Sequence, residues 1–447
     1  MLAGLWRKLA LDRPEARAWA WYDWANSAFF TVVATAVFPL YFNEVACKGL
    51  PEQVATRRLA LVLGLSMVAV ALVAPVAGAL ADFAGARKKL LGGFMGLGAL
   101  ATAGMFFVGT GDWLLASVLV GLANVGIVGS LVCYDALLPH VAPKGKVDQL
   151  STTGYALGYL GGGLLLGLNL LWIWKPGWFG LPEGKGETLP VRLAFVSVAI
   201  WWVAFSIPLF LRVPEPPRVI EDDEETGASA IRTAFTRLGE TLRELRGYKQ
   251  AFLMLLAALV YGEGIGTIIK MSGSYAKDLG LSNTTIMLAF FCTQFIGIPF
   301  AIAFGRLAAK VGSRRAIYVS LAVYVLVLVY AFFLETERDF FVLAITVGMV
   351  QGGAQALSRS LFASMIPAHK STEFFGFFAF ASKLAGSIGP LTFFAVGTFL
   401  GSNRYAILSL VVFFVLGWFL LSRVNVEEGQ RRAREAEKSL RATNQST

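Results

Sequence analysis

The sequence predicts an all-α membrane protein, with twelve transmembrane helices in two six-helix halves and both termini in the cytoplasm. Three observations carry that expectation. The 447 residues are 56% hydrophobic and only 15% charged, and 35 Phe, 11 Trp and 47 Gly suit packed spanning helices with interfacial aromatics. Apolar runs of about 20 residues or more, long enough to cross a bilayer, recur at 19–43, 57–82, 88–109, 112–139, 147–174, 190–213, 249–279, 283–309, 314–334, 338–367, 371–400 and 403–424. Finally, one short stretch occurs twice. GALADFAGARK begins at Gly78 and GRLAAKVGSRR at Gly305, so that Gly78, Gly85, Arg87 and Lys88 recur as Gly305, Gly312, Arg314 and Arg315 at one offset. Glycines allow a tight turn and the basic pair stays on the cytoplasmic side. A repeat at about half the chain length, set between apolar runs, marks two tandem halves.

Charge placement excludes other classes. The formal net charge is +10, yet with these boundaries most of the 39 Lys and Arg fall on the side of both termini. That asymmetry orients the protein in a membrane and does not recruit nucleic acid. Three Cys, with Cys133 and Cys292 inside apolar runs, make neither a disulfide framework nor a metal spacing. No metal or cofactor is expected. The first run is long enough to span and no cleavage pattern follows it, so it should remain as the first helix. Short loops leave no room for a soluble catalytic domain.

The expected organisation is a six-helix bundle over 1–213, a cytoplasmic linker over 214–248, a second bundle over 249–424 and a cytoplasmic tail over 425–447. The linker carries the Pro-rich VPEPP and an acidic run, then an amphipathic stretch. In it Ile231, Phe235, Leu238, Leu242 and Leu245 share one face, flanked by Arg232, Arg237, Arg243 and Arg246. This predicts a helix lying on the membrane surface and bridging the halves. The tail reads as a frayed polar helix without chemistry.

Candidate site residues follow from polarity inside apolar runs. In the first run Asp23, Ser27, Thr31 and Thr35 are spaced four apart on one face, with Asn26 beside them. Asp23 lies near the cytoplasmic end and suits a gating ion pair at least as well as substrate contact. Asn26 and Thr31 lie deeper and suit a cavity. The fourth run carries Asn124 and then Tyr134 and Asp135 near its cytoplasmic end, where Asp135 suits a gate first and transport second. In the fifth run Gly154, Gly158 and Gly162 form a small-residue ridge for close packing, and Tyr155 and Tyr159 offer hydroxyls to the cavity or simply pack. The seventh run places Glu263 near mid-membrane among three glycines, with Lys270 on the same face. The tenth aligns Gln351, Gln355 and Arg359 at four-residue spacing. Lys383 lies near the midpoint of the eleventh and Gln294 within the eighth. A charge at the bilayer centre costs on the order of 3 kcal/mol or more and rarely persists without a partner or a role. The expectation is a Glu263–Lys383 pair in which Lys383, helped by Arg359, anchors an anionic group. Glu263 then takes up a proton when substrate occupies Lys383. The bland alternative is a structural bridge between the two helices.

Two resemblances add to this reading. The repeated turn resembles the loop-2/3 signature of the major facilitator superfamily, including the acid at Asp82. Phe83 stands where that family usually has a basic residue, and Ala309 replaces the acid in the second copy. That resemblance implies the major facilitator fold and a gating role for Asp82, Gly85, Arg87 and Lys88, with Gly312 and Arg314 in the second copy. WYDWANSAFFTVVATAVFPLYF at 21–42, ALSRSLFASMIP at 356–367 and EFFGFF at 373–378 resemble the narrower vacuole-effluxer family, which includes autophagy-linked vacuolar amino-acid exporters and bacterial relatives. It implies efflux of small solutes, with amino acids the named case.

The resulting expectation is a monomeric secondary transporter in a bacterial inner membrane, surrounded by lipid, proton-coupled and working by alternating access on a small zwitterion or anion. A Walker-type loop is absent, which argues against an ATP-driven pump. His140 and His369 fall in loops and no HExxH or GxSxG constellation occurs, which argues against an enzyme. Transport of a larger amphipathic anion (lipid-like, or a small peptide) and a transport-inactive scaffold are the alternatives.

Overall fold

The computed structural model describes residues 6–50, 87–184, 187–216, 230–386 and 388–446, with isolated positions between 62 and 73. Within these the chain is helical apart from its turns, as apolar segments must be when no water satisfies their backbone groups. Eleven helices among the described residues are long and apolar enough to cross a membrane. Most of the second expected run, with Asp82 and Gly85, lies outside the described residues.

The spanning elements are α1 (Pro14–Ala46), α2 (Arg87–Gly104), α3 (Trp113–Val141), α4 (Val147–Trp174) and α5 (Leu189–Arg212) in the first half. The linker helix is α6 (Ala230–Gly247). The second half holds α7 (Lys249–Asp278), α8 (Asn283–Val311), α9 (Ser313–Phe332), α10 (Glu337–Ser364), α11 (Ser371–Ala385), α12 (Ile388–Leu400) and α13 (Asn403–Ser422), and the tail forms α14 (Val426–Ser446). Within the halves α1 packs on α4 and α5, α2 on α3, α7 on α13, and α8 on α10. Between them α8 and α10 lie along α4, and α11 along α3. That seam positions the site.

Two departures from regular helix matter. In α1, Phe29–Val37 and Phe42–Ala46 are π-helical, wider turns that recur at functional positions. The eleventh run crosses as one span, Ala368–Gly397, that is interrupted at Gly386 between α11 and α12. Pro390 explains the interruption: it lacks an N–H, and its ring would strike the carbonyl four residues earlier, that of Gly386. The freed Gly386 carbonyl accepts the Lys270 ammonium at 3.1 Å. The Gly389 N–H at the start of α12 donates to the Glu263 carboxylate at 3.1 Å. Two side chains of α7, seven residues apart and opposite in charge, thus satisfy the two broken helix ends.

The first and last described segments lie on one face. Lys146 donates to the Arg7 carbonyl at 2.9 Å, while Ala368, which His140 meets, donates its N–H to Glu437 in α14. The tail is therefore no frayed helix. Gln250 donates to Glu428 and Gln430 to Ser364, and Ala433 is buried. Of the apolar face expected on the linker helix, Leu245 is buried, and near it Thr241 bonds Glu373 and Glu244 pairs with Lys370 at 2.7 Å, so the second half of this helix packs on protein, while the side chains of Ile231, Phe235 and Leu238 lie outside the described residues.

Candidate functional site

Four glycine contacts set the geometry of the site. Gly154, Gly158 and Gly162 of α4 face Asp23, Ser27 and Thr31 of α1 in register, so the small-residue ridge of one helix meets the polar stripe of the other. A Cβ at any of the three would collide with those side chains. Across the seam Gly305 of α8 meets Thr152 in the same way. Close approach of α1 to α4 brings Asp23 beneath the seam, where α10 presents Arg359.

Arg359 is the centre of the arrangement. Its Nη2 donates to Asp23 at 3.1 Å and to the Ser151 carbonyl at 3.1 Å, its Nη1 to Asp135 at 3.0 Å, and its Nε to the Ser151 hydroxyl at 2.9 Å. The guanidinium carbon also lies 4.9 Å from the Trp19 ring centre and 4.6 Å from that of Tyr155. Trp19 itself stacks on Tyr134 at 4.5 Å and donates to its carbonyl. A planar fork with five donors suits such a site in a way an ammonium does not. One residue of the second half is thereby held by α1, α3 and α4 of the first.

A cavity of about 470 Å³ lies above this cluster. Its walls include Asn26, Thr31, Tyr155, Tyr159, Gln294, Gln351, Gln355 and Arg359, together with Asp23 and Asp135. It extends to Thr35, Ser272, Tyr275, Phe290 and Phe340, near the helix ends farthest from the chain termini. On the terminal side the seam is closed again. Arg87 donates to the His369 carbonyl at 2.7 Å and lies 2.6 Å from His140, while Asp148 accepts from Ser313 and Ser360. Arg87 belongs to the first copy of the repeated turn and Ser313 to the second, so each turn binds the opposite half.

A second cavity of about 230 Å³ adjoins the first at Arg359. It shares Asp135, Tyr155, Gln355 and Arg359 with the first and is lined further by Glu263, Ser358 and Ser382. Tyr261 and Ser358 meet there through their hydroxyls at 2.5 Å.

Several expected roles change. Glu263 does not pair with Lys383: its carboxylate meets the Gly389 N–H and the Thr267 hydroxyl, because the break before α12 leaves a backbone donor that only an acceptor can satisfy. Lys383 has no hydrogen-bond or ion-pair partner among the described residues and lines neither cavity. Lys270 caps the end of α11 and lines neither cavity. Asn124 turns back to the Val120 carbonyl of its own helix at 3.0 Å and also lies outside both. Among the gating candidates, Lys88 caps the end of α5 through the Phe210 carbonyl, and Arg314 donates to the Val424 carbonyl after α13, each within its own half. Gly312 takes a left-handed φ of 88° at the turn between α8 and α9. Ser151, Asp148 and Trp19 are participants that the sequence reading does not single out. Asp148 and Ser151 sit at the start of an apolar helix, where such residues ordinarily read as caps.

Comparison with known proteins places this geometry. A family model described as "Vacuole effluxer Atg22 like" matches residues 53–147 and 143–434. The chain is 35% identical over 420 residues to an uncharacterized MFS-type transporter, YxiO, of Bacillus subtilis, covering 92% of this chain and 95% of that protein. It is 28% identical over 313 residues to autophagy-related protein 22 of Cryptococcus neoformans, covering 65% of this chain and about half, 53%, of that longer protein. Among solved structures, a double Trp variant of XylE superposes with a TM-score of 0.74 at 14% identity over 93% of this chain and 98% of that one. The human organic anion transporter MFSD10 does so with a TM-score of 0.68 at 16% identity, over 91% and 99%. Two helical halves meeting at a cavity with a charged floor, the repeated basic turn and these likenesses agree: the chain is a multi-pass membrane transporter of the major facilitator type, not an enzyme, and belongs to the Atg22-like vacuole effluxer family.

Proposed function

We propose that the protein exports a small zwitterionic or amphipathic solute, an amino acid being the simplest case, by alternating access with protons as the coupling ion. The observation that carries this reading is the cavity between the halves, which ends on the Arg359 cluster. A cavity of that volume suits a small organic molecule. It runs away from the termini; the Lys and Arg asymmetry supports termini in the cytoplasm, and on that orientation this state faces outward. The family's description as an effluxer supports the outward direction. The likeness to a bacterial transporter along nearly the whole chain supports a plasma membrane.

Proton coupling enters because, among the described residues, the walls of the two cavities hold Asp23, Asp135 and Glu263 against Arg359 alone. A site shielded from water must neutralise that surplus with a bound cation or a proton. Glu263 remains the proposed proton carrier. Protonation would weaken its hold on the Gly389 N–H and so free the junction between α11 and α12 to bend. In vesicles carrying the purified protein, counterflow of radiolabelled amino acids should be measurable and should respond to an imposed pH gradient. Glu263→Gln retains an acceptor for Gly389, so exchange should continue while the response to the gradient disappears. Full gradient dependence in that variant would remove Glu263 from the coupling step.

A further inference from the structure

We infer that the cavity grips its solute by a cationic end, and that Asp135 is the group that receives it. This rests on the transporter reading above and specifies which end of the solute the protein recognises. The sequence suggests the opposite, an anion held by Lys383 and Arg359, and the geometry removes both anchors. Lys383 and Lys270 line neither cavity. Arg359 lines both, yet its three nitrogens already donate to Asp23, Asp135 and Ser151, and its side chain is only 7% exposed. An anion could reach it only by displacing the carboxylates that close the seam.

Asp135 is placed differently. Its side chain is 24% exposed against 9% for Asp23, and it forms part of the wall of both cavities. One of its oxygens, Oδ1, accepts from Arg359; Oδ2 has no hydrogen-bond partner among the described residues. Gln355 and Tyr155 line both cavities with it. A carboxylate oxygen, an amide oxygen and an aromatic face together suit an alkylammonium, which has three donors and is drawn to aromatic rings. The charge agrees. Among the described residues the larger cavity carries two carboxylates and one guanidinium, so a bound cation brings its floor to neutrality, whereas a bound carboxylate would deepen the excess.

Beyond the floor the walls turn apolar, with Phe30, Leu131, Ile268, Phe290 and Val347. The solute that fits is an ammonium on an apolar body, and a carboxylate is tolerated rather than required. Binding also bears on closure, because an ammonium at Asp135 competes with Arg359 for the same carboxylate and loosens one tie across the seam.

Three ligands with one body and different ends test this on the purified full-length protein in detergent by calorimetric titration: L-phenylalanine, phenethylamine and 3-phenylpropanoate. Phenethylamine should bind at least as tightly as phenylalanine, and 3-phenylpropanoate at least about tenfold more weakly, the scale of losing one charge-assisted contact. Asp135→Asn, checked for folding by its melting temperature, should weaken phenethylamine by a similar factor, and Asp135→Glu should restore part of the loss. Binding of phenylalanine and 3-phenylpropanoate without phenethylamine would overturn the inference and leave the proposed function standing. Binding of phenethylamine alone would uphold the inference and remove amino acids as the solute. Failure of all three would overturn both.

Discussion

Replacing Arg359 with alanine should abolish transport and cost about 3–5 kcal/mol of folding stability, the largest single-residue effect expected in this protein. The magnitude is that of removing one partner from a buried ionic cluster, since the charges left behind have lost both water and their counter-ion. Here two carboxylates are stranded, Asp23 and Asp135, with side chains 9% and 24% exposed. Arg359→Lys should recover little. An ammonium on a flexible stem cannot reach Asp23, Asp135 and Ser151 at once, whereas the guanidinium fork does. Combining Arg359→Ala with Asp23→Asn and Asp135→Asn should regain much of the stability but not the transport, since the charges go and the closure is still lost. Thermal unfolding and vesicle counterflow on the same preparations separate the two outcomes. An Arg359→Ala protein that melts like the parent would mean that the cluster carries no net weight in this state.

The second large effect is expected at Gly158. Leucine there would drive a branched side chain into Ser27, where even a Cβ has no room, and would push α1 off α4. Overpacking of this kind costs about 1–3 kcal/mol. The functional loss should exceed what that figure suggests, because the displacement carries Asp23 away from Arg359. Gly93, with open space around it, is the control: Gly93→Ala should leave both melting and transport near the parent values. Equal transport in Gly158→Leu and the parent would show that the register of the glycine ridge with the polar stripe does not matter.

The parts of the site that were legible in the sequence are those written into one helix at a time. Asp23, Ser27, Thr31 and Thr35 keep to one face even through the π-helical stretch, and Ser27, Thr31 and Thr35 all line the cavity with Asp23. Gln351, Gln355 and Arg359 do the same on α10. The glycine ridge announces close packing, though not which helix it receives. What spacing within a helix cannot state is pairing between helices far apart in sequence. Arg359 finds Asp23, 336 residues away, and Glu263 finds a backbone N–H. That second pairing follows from Pro390, whose missing donor and ring interrupt an apolar run that hydropathy alone reads as continuous. Pairing by opposite charge, Glu263 with Lys383, fails for the same reason. A broken helix end satisfies a carboxylate as well as an ammonium does, and it lies closer. The tail misleads in another way. Its exposed face is polar enough to read as frayed, while Ala433 and Glu437 dock it on the second half.

Alternating access in this protein requires a seam that is shut on the terminal face by the Arg359 cluster and opens there during transport. The direct measurement is the distance between spin labels at Lys144→Cys and Arg315→Cys, after replacement of Cys47, Cys133 and Cys292, by pulsed dipolar spectroscopy in lipid nanodiscs. The two positions flank the terminal face of the first and second halves, after α3 and at the start of α9. A short-distance population should dominate in the otherwise unaltered protein, and Arg359→Ala should shift weight to a longer one as the halves part. Identical distributions with and without Arg359 would contradict its role as the closure.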